Sequence, residues 1–222
     1  PGYSIGNGIG VQSAKSDWLL FWNDDAVMEP NFLQSMYDFL RIKPDAGAIG
    51  CKVVDEHATR LLESGSIIWR DGSCHGYGRG ASDITAPEYS YSRPVDYVSG
   101  LCLMLRKTDF LDYGGFQHES FPNYYEDTDL CMHIHHDLKK NIWYNPEAVV
   151  RHVEHGTFGN TNAVALMRQG QITFENKWRT QLQQSHLLPE DLNPNIVLQA
   201  RDSRRSVANI LYADQLLPRN KF

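Results

Sequence analysis

Apolar runs alternate with amphipathic stretches along most of the chain. The strand predicted at residues 17–22 contains the unbroken apolar run from Trp18 to Trp22, and residues 46–54 are apolar except for Lys52; such runs are typical of strands buried on both faces. Four stretches carry apolar side chains at helical spacing instead: residues 2–14, 30–40, 123–138 and 161–184. Strands that alternate with helices predict an α/β fold with a largely parallel sheet flanked by helices.

Later stretches extend the predicted sheet. Residues 95–106 form one or two strands with a break at a Ser-Gly pair, and residues 141–144 and 148–151 form two strands separated by an Asn-Pro turn. Residues 60–94 are rich in glycine and predict short strands within a flexible excursion. The glycines of residues 2–14 predict a helix that approaches the sheet closely.

Composition narrows the class of protein. The chain has 222 residues, of which 41% are hydrophobic, so it can bury the core of one domain over residues 1–184, with residues 185–222 as a polar extension. Its net charge of -6 argues against nucleic acid as a partner. No apolar run approaches the ~20 residues of a membrane span, so no transmembrane segment is expected. Scattered cysteines favour a reduced, cytoplasmic setting: Cys51, Cys74, Cys102 and Cys131.

Polar residues follow two of the predicted strands. Asn23-Asp24-Asp25 come directly after residues 17–22, and His152 comes after residues 148–151. Ligands of open α/β sheets bind at the carboxyl ends of strands, and Mg²⁺ or Mn²⁺ prefers oxygen ligands. A polar turn and a satisfied buried histidine explain the same residues without any ligand.

A second acidic group lies at the start of the helix predicted over residues 123–138. Asn123 and Glu126 fit a capping box. Asp127 lies four residues before Cys131 and shares its inward face, where the helix dipole would stabilise an anion able to accept a proton from a hydroxyl. An acid that merely favours the dipole is the alternative. Three histidines of this helix point to different faces and are predicted to lie mainly at the surface: His133, His135 and His136.

Five segments, taken in order, carry a resemblance to a known family. They are GYSIGNGIGVQSAKSDWLLFWNDDAVMEPNFL, VDYVSGLCLMLRKTDFLDYGGF, YYEDTDL, YNPEAVVRHVEHGTFG and FENKW. This series resembles family 2 of the inverting, nucleotide-sugar-dependent glycosyltransferases with a GT-A fold, and most of all the rhamnosyltransferase-type members of bacterial polysaccharide pathways. The resemblance covers roughly residues 2–180.

The resemblance implies a role for each matching residue. It implies Mg²⁺ or Mn²⁺ as cofactor, a nucleotide-sugar as donor, and a saccharide or lipid-linked saccharide as acceptor. It also implies a cytoplasmic domain, which would lie at the inner face of the membrane if the acceptor is lipid-linked. The implied metal ligands are Asp25 and His152; the catalytic base is Asp127, with Glu126 beside it; the donor-binding residues are Asn7, Asn23, Asp24, Ser99 and Gly100.

The chain departs from the family in three places. Gln117-His118 stand where the family has Asp-Glu after Gly-Gly-Phe, and His133 stands where an arginine is common. The family's opening β-α-β segment has no counterpart before Pro1, so the resemblance predicts an N-terminally truncated GT-A domain.

Two other functions fit the same residues. A non-catalytic GT-A-like module would bind saccharide or a partner protein, in keeping with the absent opening segment and the altered Gln117-His118 pair. A metal-dependent phosphoester or pyrophosphate hydrolase would use Asp24, Asp25 and His152 and would cleave a donor without any acceptor.

Overall fold

The computed structural model describes residues 2–153, 161–189, 197–198 and 200–201. Its helices are α1 Tyr3–Ser13, α2 Phe32–Ile42, α3 Lys107–Asp112, α4 Glu126–His136 and α5 Thr161–Ser185. Its strands are β1 Trp18–Trp22, β2 Ala26–Met28, β3 Ala46–Asp55, β4 Leu61–Ser64, β5 Ser66–Ile68, β6 Cys74–Gly76, β7 Arg93–Val95, β8 Cys102–Arg106 and β9 Asn141–His152. The α/β class is confirmed, and the four helices predicted from apolar spacing are present.

The central sheet is mixed rather than largely parallel. Its strands run in the order β1-β8-β3-β9-β2, while β4 pairs with β3 and β7 with β9. Among the described strands only β3 and β9 are parallel, and the other pairings of this sheet are antiparallel. A continuous apolar run indicates burial on both faces, and it carries no information on the direction of the neighbouring strand.

One long strand, β9, replaces the two strands predicted on either side of the Asn-Pro turn. Cys51 of β3 lies opposite Asn145, but the next residue, Lys52, lies opposite Val149. The residues between form a bulge in a continuous strand. Pro146 has no N–H group to donate to the ladder, so a bulge accommodates it without ending the strand.

Helices cover both faces of the sheet. Leu19 and Phe21 of β1 belong to the core that also includes Phe110 of α3 and Leu130 of α4. The alternate side chains of β1 pack against the second core, to which α2 contributes Met36 and other apolar residues. Because both faces are covered, the central strands read as continuous apolar runs.

The glycines of α1 do not bring that helix close to the sheet. A Cβ atom added at Gly6, Gly8 or Gly10 would meet nothing within 4 Å. Ser4 and Val11 are the buried residues of the helix. The helix itself is confirmed, and the expected close approach through glycine is wrong, because there is open space beside all three glycines.

A buried carboxylate joins α4 to α5. Asp129 is fully buried and accepts hydrogen bonds from Trp178 Nε1 at 2.7 Å, from Lys177 Nζ at 2.9 Å and from the Tyr113 hydroxyl at 2.5 Å. Its position in the middle of the interface means that three donors from two other segments depend on one side chain. These hydrogen bonds stabilise the packing of α5 against α4.

His133 is buried, contrary to the surface position predicted for it. Its ring stacks on that of Tyr113 with centroids 4.2 Å apart, and its Nδ1 lies 2.8 Å from Asp137 Oδ2. His135 and His136 are half-buried. The helix is covered on more than one face because α3 and α5 both pack against it, which periodicity within α4 alone cannot indicate.

The described residues after α5 return to the small sheet formed by β5 and β6. Arg70 N–H donates to the carbonyl of Leu187 at 2.8 Å, and Nδ1 of the buried His186 lies 2.8 Å from the carbonyl of Ile68. Within the described part of the chain, none of the helices combines the length and the apolarity needed to cross a bilayer.

Candidate active site

The polar residues after β1 form a turn that the sheet holds in place. Asn23 N–H donates to the carbonyl of Leu101 at 3.1 Å, and Ala26 N–H donates back to the carbonyl of Asn23 at 3.3 Å. The turn leads directly into β2, where Ala26 lies opposite His152 of β9. The carboxylates after the buried strand are therefore fixed at the edge of the sheet and do not lie on a free loop.

The structure brings Asp25 and His152 into contact. His152 Nε2 lies 3.1 Å from Asp25 Oδ2, and Val153 N–H donates to the backbone carbonyl of Asp25 at 3.0 Å. Asp25 Oδ1 is buried and has no hydrogen-bond partner among the described residues. A buried polar atom without a partner is costly, so this oxygen fits a bound cation.

The described part of the chain supplies few ligands to such a cation. Among the residues that the structure describes, no group of three or more His, Cys, Asp and Glu side chains is arranged to hold a metal ion. Asp25 and His152 would give one carboxylate oxygen and one imidazole nitrogen, which is compatible with Mn²⁺ as well as Mg²⁺. Diphosphate oxygens and water would fill the remaining positions, as is usual for Mg²⁺.

An open cavity of about 370 Å³ lies beside this pair, lined by Asp24, Asp25, Val27 and Val153. Asp24 is exposed at its mouth. Val27 is 50% exposed, so the cavity offers an apolar wall next to two carboxylates. A ligand with a charged part and an apolar face fits this combination.

Two left-handed residues lead into α4. Tyr124 has a φ of 66° and Tyr125 a φ of 72°. Tyr125 is the residue that precedes the helix, and its side chain makes no capping bond. The capping box predicted between Asn123 and Glu126 is therefore wrong. Left-handed backbone costs about 1–2 kcal/mol per residue, so tertiary contacts must hold this turn.

Contacts from two other elements hold Tyr125 in place. Its hydroxyl donates to the carbonyl of Gly72 at 3.1 Å, and its ring lies 5.3 Å from that of Phe174 on α5. A Cβ atom at Gly170 would come within 2.8 Å of Tyr125 Cδ2, so the absence of a side chain there lets α5 approach the turn. The strained turn thus fixes where the helix begins and where its first acids point.

Both carboxylate oxygens of Asp127 accept hydrogen bonds from backbone amides. Gly100 N–H donates to Oδ2 at 2.7 Å, and Thr128 N–H donates to Oδ1 at 2.7 Å. The Thr128 hydroxyl adds a bond to Oδ1 at 3.2 Å. Asp127 is consequently held in one orientation, facing the connection between β7 and β8.

Burial disfavours negative charge on both Glu126 and Asp127 at the same time. Burial and then the charge of Asp127 raise the pKa of Glu126 to about 8, and Glu126 Oε2 is buried without a partner among the described residues. Burial also raises the pKa of Asp127, although the N–H bonds from Gly100 and Thr128 oppose the shift. We expected the helix dipole to favour the anion of Asp127; desolvation outweighs it.

The β7–β8 connection links the two acidic centres. Gly100 N–H donates to Asp127. The carbonyl of Leu101, the residue after Gly100, accepts the N–H of Asn23. The N–H of Leu101 donates to Ser99 Oγ at 3.2 Å. The residues predicted to bind the donor, Ser99 and Gly100, therefore lie between the Asp25–His152 pair and the acids of α4.

Gly100 lies where a larger residue does not fit. The Tyr3 hydroxyl donates to the Gly100 carbonyl at 2.6 Å, and a Cβ atom at Gly100 would come within 2.5 Å of that hydroxyl oxygen. Gly100→Ala should therefore lower the free energy of unfolding by about 1–3 kcal/mol, measured by urea denaturation.

Gly10→Ala is the matched control, because its Cβ would meet nothing within 4 Å and the position is inside α1. This change should raise the free energy of unfolding by up to about 1 kcal/mol. If both alanines stabilise the protein, the packing of Tyr3 on Gly100 is not as tight as described.

Asn7 makes a bond within its own helix. Its Nδ2 donates to the carbonyl of Tyr3 at 3.0 Å, one turn earlier in α1. In the described residues no hydrogen bond connects Asn7 to Asp25, His152 or Asp127. Asn7 therefore lies beside Tyr3, which in turn contacts Gly100. The role of Asn7 in donor binding stays a prediction.

Residues 60–94 contribute a carboxylate that sequence reasoning missed. Glu63 of β4 accepts a hydrogen bond from Ser99 N–H at 3.3 Å. Its segment showed only glycine-rich, short-period sequence, so no pattern singled it out. Gln117, at a departure from the family pattern, has a structural contact instead: its Nε2 donates to the carbonyls of Tyr113 and Gly115 at 2.9 and 3.1 Å.

Two relatives are similar over most of this chain. The uncharacterised protein y4gI of Sinorhizobium fredii is 23% identical over 209 residues, which are 90% of this chain and 22% of the relative. The glucosyl-dolichyl phosphate glucuronosyltransferase of Haloferax volcanii is 23% identical over 158 residues, which are 68% of this chain and 47% of the relative. The chain thus spans less than half the length of each relative.

The fold is also similar to that of a solved structure. The crystal structure of GalNAc-T7 with UDP, GalNAc and Mn²⁺ superposes with a TM-score of 0.62 over 82% of this chain and 36% of that chain, at 10% identity. At this identity the likeness concerns the fold alone, and it confirms the predicted GT-A fold. The sequence model of glycosyltransferase like family 2 matches residues 5–170, well over half of the chain, and the chain therefore belongs to that family.

Proposed function

We propose that this domain transfers a sugar from a nucleotide-diphosphate donor to a hydroxyl of a saccharide acceptor, with inversion at the anomeric carbon and with Mg²⁺ or Mn²⁺ bound. The observation that carries the proposal is the arrangement of two acidic centres on either side of one turn. Asp25 and His152 lie in contact at one end, and Asp127 bonds to Gly100 at the other. A displacement needs the leaving group and the base on opposite sides of the sugar, and this arrangement supports that geometry.

At the donor end, the chain offers a fixed carboxylate and a fixed imidazole. Asp25 Oδ1 lacks a partner, and His152 Nε2 and Asp25 Oδ2 are 3.1 Å apart, so both side chains are already oriented toward each other. A divalent cation held there would neutralise the charge that develops on the leaving diphosphate. The open cavity beside Asp24 and Val27 would receive the nucleotide part of the donor.

At the acceptor end, Asp127 would take the proton from the attacking hydroxyl. Its amide bonds from Gly100 and Thr128 orient the carboxylate, and burial raises its pKa, which makes it a stronger base than an exposed aspartate. Burial, and then the charge of Asp127, raise the pKa of Glu126 to about 8, so an ionised Asp127 favours the protonated form of Glu126.

The substrates to be tried follow from the resemblance and from the similar proteins. UDP-sugars come first because the similar GalNAc-T7 structure contains UDP and Mn²⁺. A deoxythymidine diphosphate rhamnose donor tests the rhamnosyltransferase-type resemblance. A glucosyl polyprenyl phosphate tests a lipid-linked acceptor, as named in the haloarchaeal relative. A lipid-linked acceptor would bring a cytoplasmic domain to the inner face of the membrane.

The test is a reaction in which each donor is incubated with Mn²⁺, with and without the acceptor, and the products are followed by mass spectrometry and by ¹H NMR of the anomeric proton. We expect nucleoside diphosphate release that depends on the acceptor, and a product of inverted configuration. Equal donor cleavage without acceptor would favour the metal-dependent hydrolase. Donor binding without turnover in any combination would favour the non-catalytic binding module.

A further inference from the structure

The ribbon formed by β2 and β9 carries an arginine at the rim of the cavity beside Asp25. Val27 of β2 lies opposite Arg151 of β9, and side chains of directly opposite residues lie on the same face of a sheet. Val153 N–H donates to the carbonyl of Asp25, which continues the pairing, so Val153 shares the face of Arg151 two residues earlier. Val27 and Val153 both line the cavity of about 370 Å³. Arg151 therefore lies on the cavity face, next to Val27.

The guanidinium group of Arg151 has donors that no described residue uses. Its Nε atom is in ion-pair contact with Glu29 Oε1, and the backbone N–H of Glu29 donates to the carbonyl of Val149 at 3.0 Å. Neither Nη atom of Arg151 has a hydrogen-bond partner among the described residues, and 41% of the side chain is exposed. Glu29 thus orients the guanidinium through one nitrogen and leaves the donors of the other two for a ligand.

The charges around the cavity favour a cationic side chain at this rim. Asp24 and Asp25 line the cavity, and a divalent cation held there would only balance their two carboxylates. The diphosphate of a nucleotide sugar brings further negative charge, which would have no counter-charge in such a site. Arg151 is the only lysine or arginine in the sequences of β2 and β9. A guanidinium binds phosphate oxygens through charge-assisted hydrogen bonds.

Resting on the proposed donor site, we propose that Arg151 is a substrate-binding residue: its Nη groups donate hydrogen bonds to a phosphate group of the donor, while Glu29 holds its Nε atom in place. Arg151 supplies the positive charge that the diphosphate lacks once the carboxylates of Asp24 and Asp25 are balanced. The ligand chemistry that it recognises is a diphosphate bound beside a divalent cation.

The pairing with Glu29 gives the proposal a distinctive sign. An ion pair that only ties β2 to β9 would be weakened in a similar way by the loss of either partner, with no effect on ligand affinity. A glutamine at position 29 still offers an oxygen to the Nε–H of Arg151, but it removes a negative charge near the diphosphate. Glu29→Gln should therefore preserve or strengthen diphosphate binding, whereas Arg151→Gln should weaken it.

The experiment measures dissociation constants by calorimetry for UDP, deoxythymidine diphosphate and inorganic diphosphate, each with Mn²⁺. Inorganic diphosphate has no base to be matched, so its binding depends on the phosphate contacts alone. We expect Arg151→Gln to weaken binding about 10–100-fold, the range for hydrogen bonds to charged groups. Arg151→Lys, which keeps the charge, should recover part of this loss, and Glu29→Gln should bind at least as tightly as the parent.

The matched control is Arg41→Gln, which removes an exposed arginine from the last turn of α2. Arg41 shortly precedes Ala46, where β3 begins, whereas His152 lies opposite Asp55 at the far end of β3. Its affinity for the three probes should equal that of the parent. A direct readout on the parent is the ¹H–¹⁵N NMR signal of Arg151 Nε, which should shift when inorganic diphosphate and Mg²⁺ are added.

Three results would overturn the proposal: equal affinities of Arg151→Gln and Arg41→Gln, equal losses in Arg151→Gln and Glu29→Gln, or an Arg151 signal that does not respond to diphosphate. Failure of the parent to bind any of the three probes would overturn it together with the proposed donor site. Binding that depends on Arg151, without sugar transfer to any acceptor, would contradict the proposed function and leave this inference standing. Transfer with binding that is independent of Arg151 would do the reverse.

Discussion

Replacing Asp127 by asparagine should lower the rate of sugar transfer about 10²–10⁴-fold, the usual contribution of a positioned general base. An amide is close in shape to the carboxylate but cannot take the proton of the acceptor hydroxyl. Stabilisation by nucleotide and metal should persist, because Asp25 and His152 make their contact at the other end of the site. The measurement is the transfer rate at saturating donor, with the thermal shift by donor recorded on the same sample.

Asp137→Asn serves as the matched control, since Asp137 follows the last turn of the same helix and its side chain is half-exposed. Asparagine at 127 also turns an NH₂ group toward one of the two amides that now donate to Asp127, so circular dichroism must show that the fold is retained. A folded Asp127→Asn variant that keeps a tenth or more of the parent rate would exclude Asp127 as the base.

Replacing Asp129 by alanine should lower the free energy of unfolding by about 3 kcal/mol. Asp129 is fully buried and accepts bonds from Tyr113, Lys177 and Trp178. Its loss leaves the buried Trp178 N–H and the ammonium of Lys177 without their acceptor, and it frees α5 from α4. The ammonium is partly exposed, which places the expected loss at the lower end of values for broken buried pairs.

The control for this change is Asp112→Ala at the end of α3, where the carboxylate is largely exposed and 3.8 Å from His133. That variant should lose less than about 1 kcal/mol in the same urea denaturation series. Similar losses for Asp129→Ala and Asp112→Ala would show that the bonds across the α4–α5 interface contribute little to stability.

The residues at strand ends were the part of the site that the sequence predicted best. Asp25 comes shortly after the apolar run that ends at Trp22, and His152 comes directly after the strand predicted at residues 148–151; the ends of such strands can be predicted from the sequence without knowing how strands pair. Their contact depends on the pairing of β2 with β9, which no local pattern encodes. The direction of the strands was misjudged for the same reason, because burial and not orientation determines the apolar runs.

Contacts between distant segments explain what the sequence did not indicate. Glu63 joins the site through one backbone amide of the β7–β8 connection, and nothing in its own glycine-rich segment singles it out. The start of α4 is set by left-handed Tyr124 and Tyr125, and Gly170 of α5 makes room for Tyr125. A capping box is a local rule, and here the tertiary packing of Tyr125 overrides it.

The most direct test of the central claim is thermal unfolding with a panel of nucleoside diphosphates, with and without Mn²⁺, on the parent, on Asp25→Ala and on the exposed control Asp17→Ala. At about 100 times its dissociation constant, the correct nucleotide should add about 2.7 kcal/mol to the stability of the parent and of Asp17→Ala, and only with Mn²⁺ present. Asp25→Ala should show no such gain. Equal stabilisation of Asp25→Ala and the parent, or stabilisation that does not need the metal, would contradict a metal-bound diphosphate at Asp25 and His152.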